Sequence, residues 1–303
     1  MLLVTGVSGA LGSLVAARLA GRADVVLGTR AADTADTAGA AEASRASDTA
    51  DAGAEASRMA RAALPGTRRV DFDAPETLPE AFAGVDTLLL VSAGYGEDDT
   101  VAARHGAAIS AAERAGVRHV VYTSLSGDGD HLAYALAHRW TERRLQRSTT
   151  LDWTILRNGL YAELLAGLAA PDAENRITGP LGEGRLAAVA REDLADVAVA
   201  VATDPAAHRN RVYELVGERP LGGAELAEAL GATYAPGTLA DARAAVAASG
   251  AVPFQVPMVA STYSAIAHGF LDGTGVASDL RALLGGREPL DALDVFVKAV
   301  REG

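Results

Sequence analysis

Tyr134 and His138 are four positions apart in a segment that is predicted to be helical. That spacing places both side chains on one face of a helix. A phenol and an imidazole side by side could give a proton to a substrate oxygen, because the pKa of an imidazole lies near neutral pH. His138 could equally fill the wall of a pocket, and the sequence leaves both interpretations open.

The chain begins with a short apolar strand and a glycine-rich turn that opens a helix, which is typical of dinucleotide binding. Gly6 allows a tight turn, Gly9 lets the backbone approach a pyrophosphate, and Gly12 lets the helix pack on the strand. The pyrophosphate would lie on backbone N–H groups, where the helix dipole favours negative charge. The predicted contacts of this segment are Gly6, Ser8, Gly9, Ala10, Leu11 and Gly12.

The second predicted strand is followed by Arg30, at the position where NAD-preferring sites carry an acidic residue. An arginine there can bind the 2′-phosphate of NADPH, which is therefore the predicted cofactor. A solvated arginine is the alternative, and the nearby Asp33 keeps it open. Small or polar residues end the later strands, where open α/β sheets bind ligands. The predicted cofactor contacts there are Asp71, Phe72, Ser92, Ala93, Gly94 and Thr123.

Apolar runs typical of buried parallel strands alternate with helical patterns through most of the chain. This alternation predicts an α/β, doubly wound parallel-sheet Rossmann fold. The predicted strands are Leu2–Thr5, Val25–Thr29, Arg68–Phe72, Thr87–Ser92, His119–Ser124, Trp153–Arg157 and Arg211–Val216. The predicted helices are Leu11–Ala20, Ala54–Ala63, Val101–Ala115, Tyr134–Gln146 and Gly223–Leu230. After Leu230 the pattern indicates short helices without a clear second sheet.

We expect a Rossmann domain over residues 1–155 and a smaller, mainly helical substrate-capping region over 156–303. Residues 187–216 should contribute back to the Rossmann core. Asp71 could also be a turn residue. Residues 31–61 contain two imperfect copies of an alanine-rich unit, which indicates a local duplication on the surface.

The composition excludes several classes of function. The formal net charge of −12 argues against a nucleic-acid partner, because phosphate backbones need a basic surface. The chain has no cysteine and its six histidines are far apart, so no metal site is predicted. No apolar run approaches the ~20 residues of a membrane span, and the first strand begins too early for a signal peptide. We expect a soluble, cytoplasmic protein.

Several segments resemble the NmrA-like atypical short-chain dehydrogenases, in the branch of the flavin-independent NAD(P)H:quinone oxidoreductases. These segments are Thr5–Gly12, Arg30, Tyr122–Leu125, His138 with Glu142, Leu156–Gly159 with Tyr161, Gly182–Gly184, Arg191–Asp193, Thr233–Ala235 and Leu283–Gly286. The likeness covers nearly the whole chain apart from the duplicated segment.

The resemblance implies that NADPH lies across the sheet and that C-terminal helices close a substrate pocket. The further cofactor contacts that it implies are Arg157, Asn158, Gly159, Tyr161 and Arg191. Asn158 and Tyr161 are candidates for orienting the nicotinamide or the acceptor, although either could be an ordinary structural polar residue.

Ordinary members of this enzyme class use Tyr-x-x-x-Lys, and here His138 stands in place of the lysine. This change argues against alcohol–carbonyl chemistry and against a nucleotide-sugar epimerase. The loss of the lysine matters less for quinone reduction, because a quinone accepts hydride readily and water can protonate the product oxygens. The prediction is therefore NADPH-dependent hydride transfer to a quinone-like small molecule without flavin.

The alternative function is a non-catalytic sensor that binds NADP(H) and acts through a protein partner. A sensor needs no proton donor, so the Tyr134 and His138 pair favours the enzyme. The oligomeric state stays open, with a homodimer as one outcome, and the segment Gln255–Val259 could form an exposed apolar patch.

Overall fold

The computed structural model describes residues 1–30 and 66–303, so the predicted helix Ala54–Ala63, Asp33 and the duplicated segment 31–61 lie outside the described residues. Elements are numbered along the described part. The strands are β1 (Leu2–Val4), β2 (Val25–Thr29), β3 (Thr67–Arg69), β4 (Thr87–Leu90), β5 (His119–Leu125), β6 (Asp152–Asn158), β7 (Arg176–Ile177), β8 (Arg185–Leu186), β9 (Arg211–Leu215), β10 (Leu221–Gly222) and β11 (Thr233–Tyr234).

The helices of the described part follow the predicted alternation. They are α1 (Ala10–Arg18), α2 (Leu78–Ala81), α3 (Asp98–Ala115), α4 (Ala135–Gln146), α5 (Leu164–Ala169), α6 (Arg191–Thr203), α7 (Gly223–Leu230), α8 (Leu239–Ala248), α9 (Gln255–Ala267), α10 (Leu280–Leu283) and α11 (Ala292–Glu302). None of these helices is long and apolar enough to cross a lipid bilayer.

Seven strands form one sheet in the order β3-β2-β1-β4-β5-β6-β9. The pairings from β3 to β5 are parallel, and Leu3 lies opposite both Val26 and Leu88. The strand order reverses between β1 and β4, and such a switch point leaves a crevice at the carboxyl ends of the strands. The predicted doubly wound α/β fold is confirmed.

The central strands are buried along their whole length, as a sheet covered on both faces requires. On one face, Leu88 and Tyr122 from the strands pack in one core with Ile109 of α3 and Leu145 of α4. Because side chains alternate along a strand, His119 and Thr123 of β5 point to the opposite face from Tyr122.

The chain divides into two compact units, which are described separately below. The sheet unit comprises Met1–Ser124, Ala137–Arg157 and Leu194–Tyr213, and the second unit comprises Leu125–Leu136, Asn158–Asp193 and Glu214–Gly303. The second unit has its own core, which includes Leu165, Ile177, Leu226, Ile266 and Phe296.

Besides shifts of up to three residues at the ends of other elements, four details differ from the sequence-based predictions. Strand β3 ends at Arg69 instead of Phe72, because Asp71 accepts the N–H of Asp73 at 3.1 Å and turns the chain. Helix α4 begins at Ala135, one residue after Tyr134. Beyond Leu230 the short strand β11 pairs with β7, and β10 pairs with β8 in the same unit. The segment Gln255–Val259 is mostly half-buried within α9 and is not an exposed patch.

Candidate cofactor and active site

The glycine turn lies between β1 and α1, at the carboxyl edge of the sheet. Gly6 has a φ of +67°, in the left-handed region that favours glycine. A Cβ atom on Gly12 would lie 2.1 Å from the Gly6 carbonyl oxygen. Only glycine therefore allows α1 to begin this close to the turn.

The N-terminus of α1 is open to an anion. Ser8 and Gly9 are exposed, and Ala10 is half-buried. The N–H of Ser13 bonds back to Gly9 at 2.8 Å, whereas the preceding N–H groups of a helix lack acceptors inside it. Leu11 and Gly12 are buried, so they would contribute backbone and not side chains. These features fit the pyrophosphate of a dinucleotide.

Arg30 is exposed directly after β2. Beyond β3, Arg104 donates from Nε and Nη2 to the two carboxylate oxygens of Asp73, at 2.6 and 2.9 Å. These hydrogen bonds lower the pKa of Asp73, and the charge of Arg30 contributes in the same direction. Both Asp73 oxygens are thus bonded to Arg104, which weakens the competition of this carboxylate for the Arg30 guanidinium.

Asp71 and Phe72 lie in the turn after β3. Asp71 accepts hydrogen bonds from Arg69 at 3.3 Å and from the backbone of Asp73. Phe72 is half-buried against the core of the sheet unit. Both side chains have structural roles that do not depend on a ligand, so their contact with the cofactor stays a prediction.

The carboxyl ends of β4 and β5 are joined by side chains. The N–H of Ser92 donates to Thr123 Oγ1 at 2.9 Å, and the N–H of Ala93 donates to His105 Nε2 at 3.0 Å. Gly94 is exposed. These two N–H groups are already bonded, whereas Ser92 Oγ is buried without a hydrogen-bond partner in the described part of the chain. The segment therefore offers a ligand close approach at Gly94 and one hydroxyl at Ser92.

His138 belongs to a buried polar network in the sheet unit. Its Nδ1 lies 2.9 Å from the Tyr122 hydroxyl, and His105 Nδ1 lies 2.9 Å from Thr141 Oγ1. Burial lowers the pKa of His138 to about 4, with Arg139 adding to the effect and Glu142 opposing it. The His138 ring is therefore neutral at pH 7 and is a poor acid in the protein alone.

Glu142 is a second buried centre of the sheet unit, with 2% of its surface exposed. Its carboxylate accepts hydrogen bonds from Ser124 at 2.6 Å, from Arg139 at 2.8 Å and from Arg157 at 2.6 and 2.9 Å. Burial opposes ionisation, but the bonds from Arg157 and Ser124 outweigh it and hold the pKa of Glu142 below its usual value. The guanidinium of Arg157 is thus directed to Glu142.

Tyr134 belongs to the second unit. Its hydroxyl lies 3.3 Å from Thr262 Oγ1 of α9, and the N–H of Ala133 donates to Ser261 Oγ at 3.1 Å. Burial raises the pKa of the Tyr134 hydroxyl to about 12. The hydroxyl is therefore protonated and is hydrogen-bonded within its own unit.

The second unit also holds the residues that follow β6. Asn158 is 5% exposed, and its Oδ1 has no hydrogen-bond partner among the residues that the structure describes. The Arg191 guanidinium lies 4.9 Å from the centre of the Tyr161 ring, a cation–π arrangement. Gly159 packs tightly, because an added Cβ would lie 3.0 Å from the Leu215 carbonyl oxygen.

The structure brings together some of the predicted residues within each unit. In the sheet unit, the glycine turn, Arg30, Ser92, Ala93 and His138 lie on elements at the carboxyl edge. In the second unit, Tyr161 contacts Arg191. The predicted pair Tyr134 and His138 is divided between the two units.

Three members of the buried network were not predicted to act at a site: His105, Tyr122 and Thr141. The available sequence signal was His105 within the apolar stripe of α3. A histidine in such a place is more often a core residue whose hydrogen bonds are satisfied. Within the described ranges, no group of three or more His, Asp or Glu side chains could hold a metal ion.

Comparison with known proteins identifies the family. The family model described as NAD(P)H-binding matches residues 49–205, more than half of the chain. The chain belongs to this NAD(P)H-binding family. The family membership agrees with the resemblance drawn from the sequence motifs and with the open glycine turn.

Two curated relatives align with about half of this NAD(P)H-binding chain. Quinone oxidoreductase 2 of Escherichia coli (strain K12) is 37% identical over 153 residues, covering 50% of this chain and 52% of that protein. NAD(P)H azoreductase of Xenophilus azovorans is 34% identical over 165 residues, covering 54% and 56%. The chain thus spans about half the length of the curated relatives it matches.

Two solved structures are similar over nearly the full length. The Citrobacter sp. triphenylmethane reductase complexed with NADP(H) has a TM-score of 0.79 at 26% identity, covering 98% of this chain and 99% of that one. The NADPH-dependent quinone oxidoreductase of Escherichia coli complexed with NADPH has the same TM-score, identity and coverage.

Proposed function

We propose that the protein is an oxidoreductase that binds NADPH and transfers hydride to a quinone or a similar electrophilic acceptor, without flavin. The observation that carries this proposal is the glycine turn at the switch point of the sheet. Because an added Cβ on Gly12 would lie 2.1 Å from the Gly6 carbonyl oxygen, only glycine lets α1 begin directly after the turn. The first N–H groups of α1 have no acceptors within the helix and can bind a pyrophosphate. Two solved neighbours with bound NADP(H) or NADPH support the same assignment.

The preference for NADPH over NADH rests on Arg30. It is exposed at the end of β2, where a 2′-phosphate would lie in this fold. The nearby Asp73 is bonded to Arg104 at both oxygens. It therefore competes only weakly with the phosphate for Arg30.

The bound nicotinamide would supply the hydride, and the overall change is NADPH plus a proton plus quinone to NADP⁺ plus hydroquinone. The protein has to bind the dinucleotide, orient it and hold the acceptor against it. The carboxyl edge of β4 suits close approach, because Gly94 is exposed and has no side chain. Water can protonate the product oxygens, so the absence of a Tyr-x-x-x-Lys pair is no obstacle.

Asn158 is our candidate for orienting the nicotinamide carboxamide. Its Oδ1 is buried without a partner in the described part of the chain, and leaving such an atom unsatisfied costs about 1–3 kcal/mol. An amide N–H of the carboxamide would satisfy it. We assign Tyr161 and Arg191 a supporting role in the same unit, because their cation–π contact limits the motion of both side chains.

The acceptor class follows from what hydride transfer without flavin requires. The acceptor has to be an electron-poor conjugated molecule that takes hydride directly. The names of the similar proteins describe a quinone oxidoreductase, an azoreductase and a triphenylmethane reductase. These substrates share an electrophilic conjugated centre, and we propose that quinones represent the class used by this chain.

The test is NADPH oxidation by the purified protein with benzoquinone and naphthoquinone acceptors, after any bound flavin has been removed. The expected result is acceptor-dependent loss of nicotinamide absorbance well above the non-enzymatic background, with hydroquinone formed in equal amount. NADPH should react faster than NADH. Azo and triphenylmethane dyes in the same assay would show how far the acceptor class extends.

Two outcomes would overturn the proposal. Tight NADPH binding without turnover on any acceptor would identify a sensor, and the next step would be a search for a protein partner. Turnover that appears only after flavin is added would replace direct hydride transfer with a flavin-dependent mechanism.

A further inference from the structure

His105 is held by a main-chain donor. The N–H of Ala93 donates to His105 Nε2 at 3.0 Å, and a backbone N–H can only donate. Nε2 must therefore carry a lone pair, so the neutral ring has its proton on Nδ1. Burial lowers the pKa of His105 to about 3, so the neutral form prevails at pH 7.

Thr141 accepts a hydrogen bond from the Nδ1–H of His105. His105 Nδ1 lies 2.9 Å from Thr141 Oγ1, and the Thr141 hydroxyl donates to the Ala137 carbonyl at 2.7 Å. Each group thus has one assigned direction. The backbone N–H of Ala93, which follows β4, therefore fixes the direction of the hydrogen bonds at His105 and Thr141.

Tyr122 links His105 to His138 in the hydrogen-bond network. Its hydroxyl lies 3.5 Å from His105 Nδ1, which is a donor, and 2.9 Å from His138 Nδ1. The nearer atom is the one that can accept, so the Tyr122 O–H donates to His138 Nδ1. Neutral His138 then has its proton on Nε2. His138 is half-buried, and its Nε2 has no hydrogen-bond partner among the described residues.

We propose that His105 and Tyr122 are positioning residues that fix His138 in the Nε2–H tautomer, so that a neutral imidazole N–H is presented to the acceptor oxygen during hydride transfer. The acceptor part of this inference rests on the proposed function. The tautomer part rests on the network alone and can be tested without any substrate.

His138 acts here as a hydrogen-bond donor and not as an acid. As hydride reaches the quinone ring, negative charge develops on an oxygen, and a fixed N–H stabilises it. The proton that completes the hydroquinone comes from water. Tyr122 does not pass on its own proton, because burial raises its pKa above the usual value and a tyrosinate there is unfavourable.

The charged groups around His138 are compatible with a neutral ring. Arg139 is adjacent in the chain, and Glu142 is bonded to Arg139 and Arg157. His105 and Tyr122 face the ring from α3 and β5, and both are uncharged at pH 7. The positive charge of Arg139 opposes a second positive charge on His138.

The first experiment is nitrogen NMR of ¹⁵N-histidine-labelled protein, which distinguishes the two neutral tautomers. We expect His138 in the Nε2–H form in the wild type and a mixture of both forms in Tyr122→Phe. The matched control is Tyr213→Phe, because Tyr213 Oη lies 2.9 Å from His208 Nδ1 elsewhere in the same unit. That variant should leave the His138 signals unchanged. An Nδ1–H ring in the wild type, or no change in Tyr122→Phe, would overturn the inference.

The second experiment measures turnover in the same variants. Tyr122→Phe should lower kcat about tenfold, the effect of one hydrogen bond, with NADPH affinity unchanged. His138→Ala should lower kcat further, and His138→Gln should recover part of it, because its amide keeps an N–H donor. If His138→Ala turns over like the wild type, the donor role is wrong. If the wild type has no turnover with any acceptor, the proposed function fails while the tautomer result stands.

Discussion

The carboxyl and amino edges of the central sheet each hold a histidine bonded to a tyrosine. At the carboxyl edge, His138 Nδ1 and Tyr122 Oη are 2.9 Å apart, and at the amino edge His208 Nδ1 and Tyr213 Oη are also 2.9 Å apart. Both lie in the sheet unit. A close histidine–tyrosine pair is therefore not by itself a sign of a site.

The two edges differ in what fixes the pair. At the carboxyl edge, the Ala93 N–H sets the proton on His105, and Tyr122 lies between the two histidines. At the amino edge, His119 Nε2 is 2.8 Å from Thr154 Oγ1, and the Thr154 hydroxyl donates to the His208 carbonyl. These bonds tie β5 to β6, and within the described residues no backbone N–H donates to the His208 ring, so the His208 tautomer is left unassigned.

The difference shows how one architecture serves two purposes. In open α/β sheets ligands bind at the carboxyl edge. There a backbone N–H fixes His105, and Tyr122 bonds one nitrogen of His138 and leaves the other for a ligand. At the amino edge similar residues join the starts of neighbouring strands. The comparison can be tested by making matched changes at both edges.

The largest contrast is expected for glycine substitutions. Gly9→Ala places its Cβ 3.5 Å from the Gly6 carbonyl, an ordinary contact, with φ at −84°. The fold should persist, but the methyl group occupies the approach of the pyrophosphate. We expect NADPH affinity to fall at least about 100-fold, or roughly 3 kcal/mol, as measured by calorimetry.

The control for Gly9→Ala is Gly21→Ala at the amino edge, where φ is +82° and nothing lies within 4 Å of the added Cβ. A left-handed alanine costs about 1–2 kcal/mol of folding free energy. This variant should lower the melting temperature and leave NADPH affinity unchanged. Equal NADPH losses in both variants would remove the distinction between the edges.

A smaller contrast is expected for two exposed arginines. Arg30→Ala at the carboxyl edge should weaken NADPH by about 10–100-fold, because a charge-assisted bond contributes about 1.5–3 kcal/mol. NADH affinity should be nearly unchanged. Arg22→Ala at the amino edge, where Arg22 bonds Asp24 at 2.8 Å, should affect neither cofactor. Equal losses for NADPH and NADH in Arg30→Ala would contradict the 2′-phosphate role.

Much of the fold could be predicted from the sequence, because strand and helix signals are local. Apolar runs such as the one in β4 identify strands covered on both faces, and the spacing around Gly6 and Gly12 identifies the turn. Strand β3 was less predictable, since it ends where the Asp71 carboxylate accepts a hydrogen bond from the backbone N–H of Asp73. Competition between a short polar side chain and the sheet depends on geometry that residue order does not display.

The site was less predictable than the fold. His105 and Tyr122 are 17 positions apart, and Thr141 is 36 positions from His105, so no local spacing reveals their contact. Sequence reasoning identified His138 but left it open between a proton donor and a residue of the pocket wall, and it could not show that burial lowers the pKa of His138 to about 4. The degree of burial and the direction of a hydrogen bond are properties of packing, and both decide what an imidazole can do.

The smallest contrast concerns stability in mild acid. Burial lowers the pKa of His105 to about 3 and of His138 and His119 to about 4, whereas an unfolded histidine titrates near 6.5. As pH falls below about 6.5, the unfolded state binds protons that the folded state does not. Each neutral histidine thus stabilises the fold fully above about pH 6.5, and this stability declines by about 1 kcal/mol per pH unit towards pH 4.

We predict that the slope of the unfolding free energy against pH depends on which edge of the sheet is changed. The free energy of unfolding, measured in urea at pH 6.5 and pH 5, should fall less steeply in His119→Gln than in the wild type. The pH dependence of this free energy should be reduced about twice as much in the double variant His105→Gln and His138→Gln, because the carboxyl edge holds two such histidines. A double variant with the wild-type slope would mean that the two rings are charged in the folded protein, and the tautomer assigned to His138 would then be wrong.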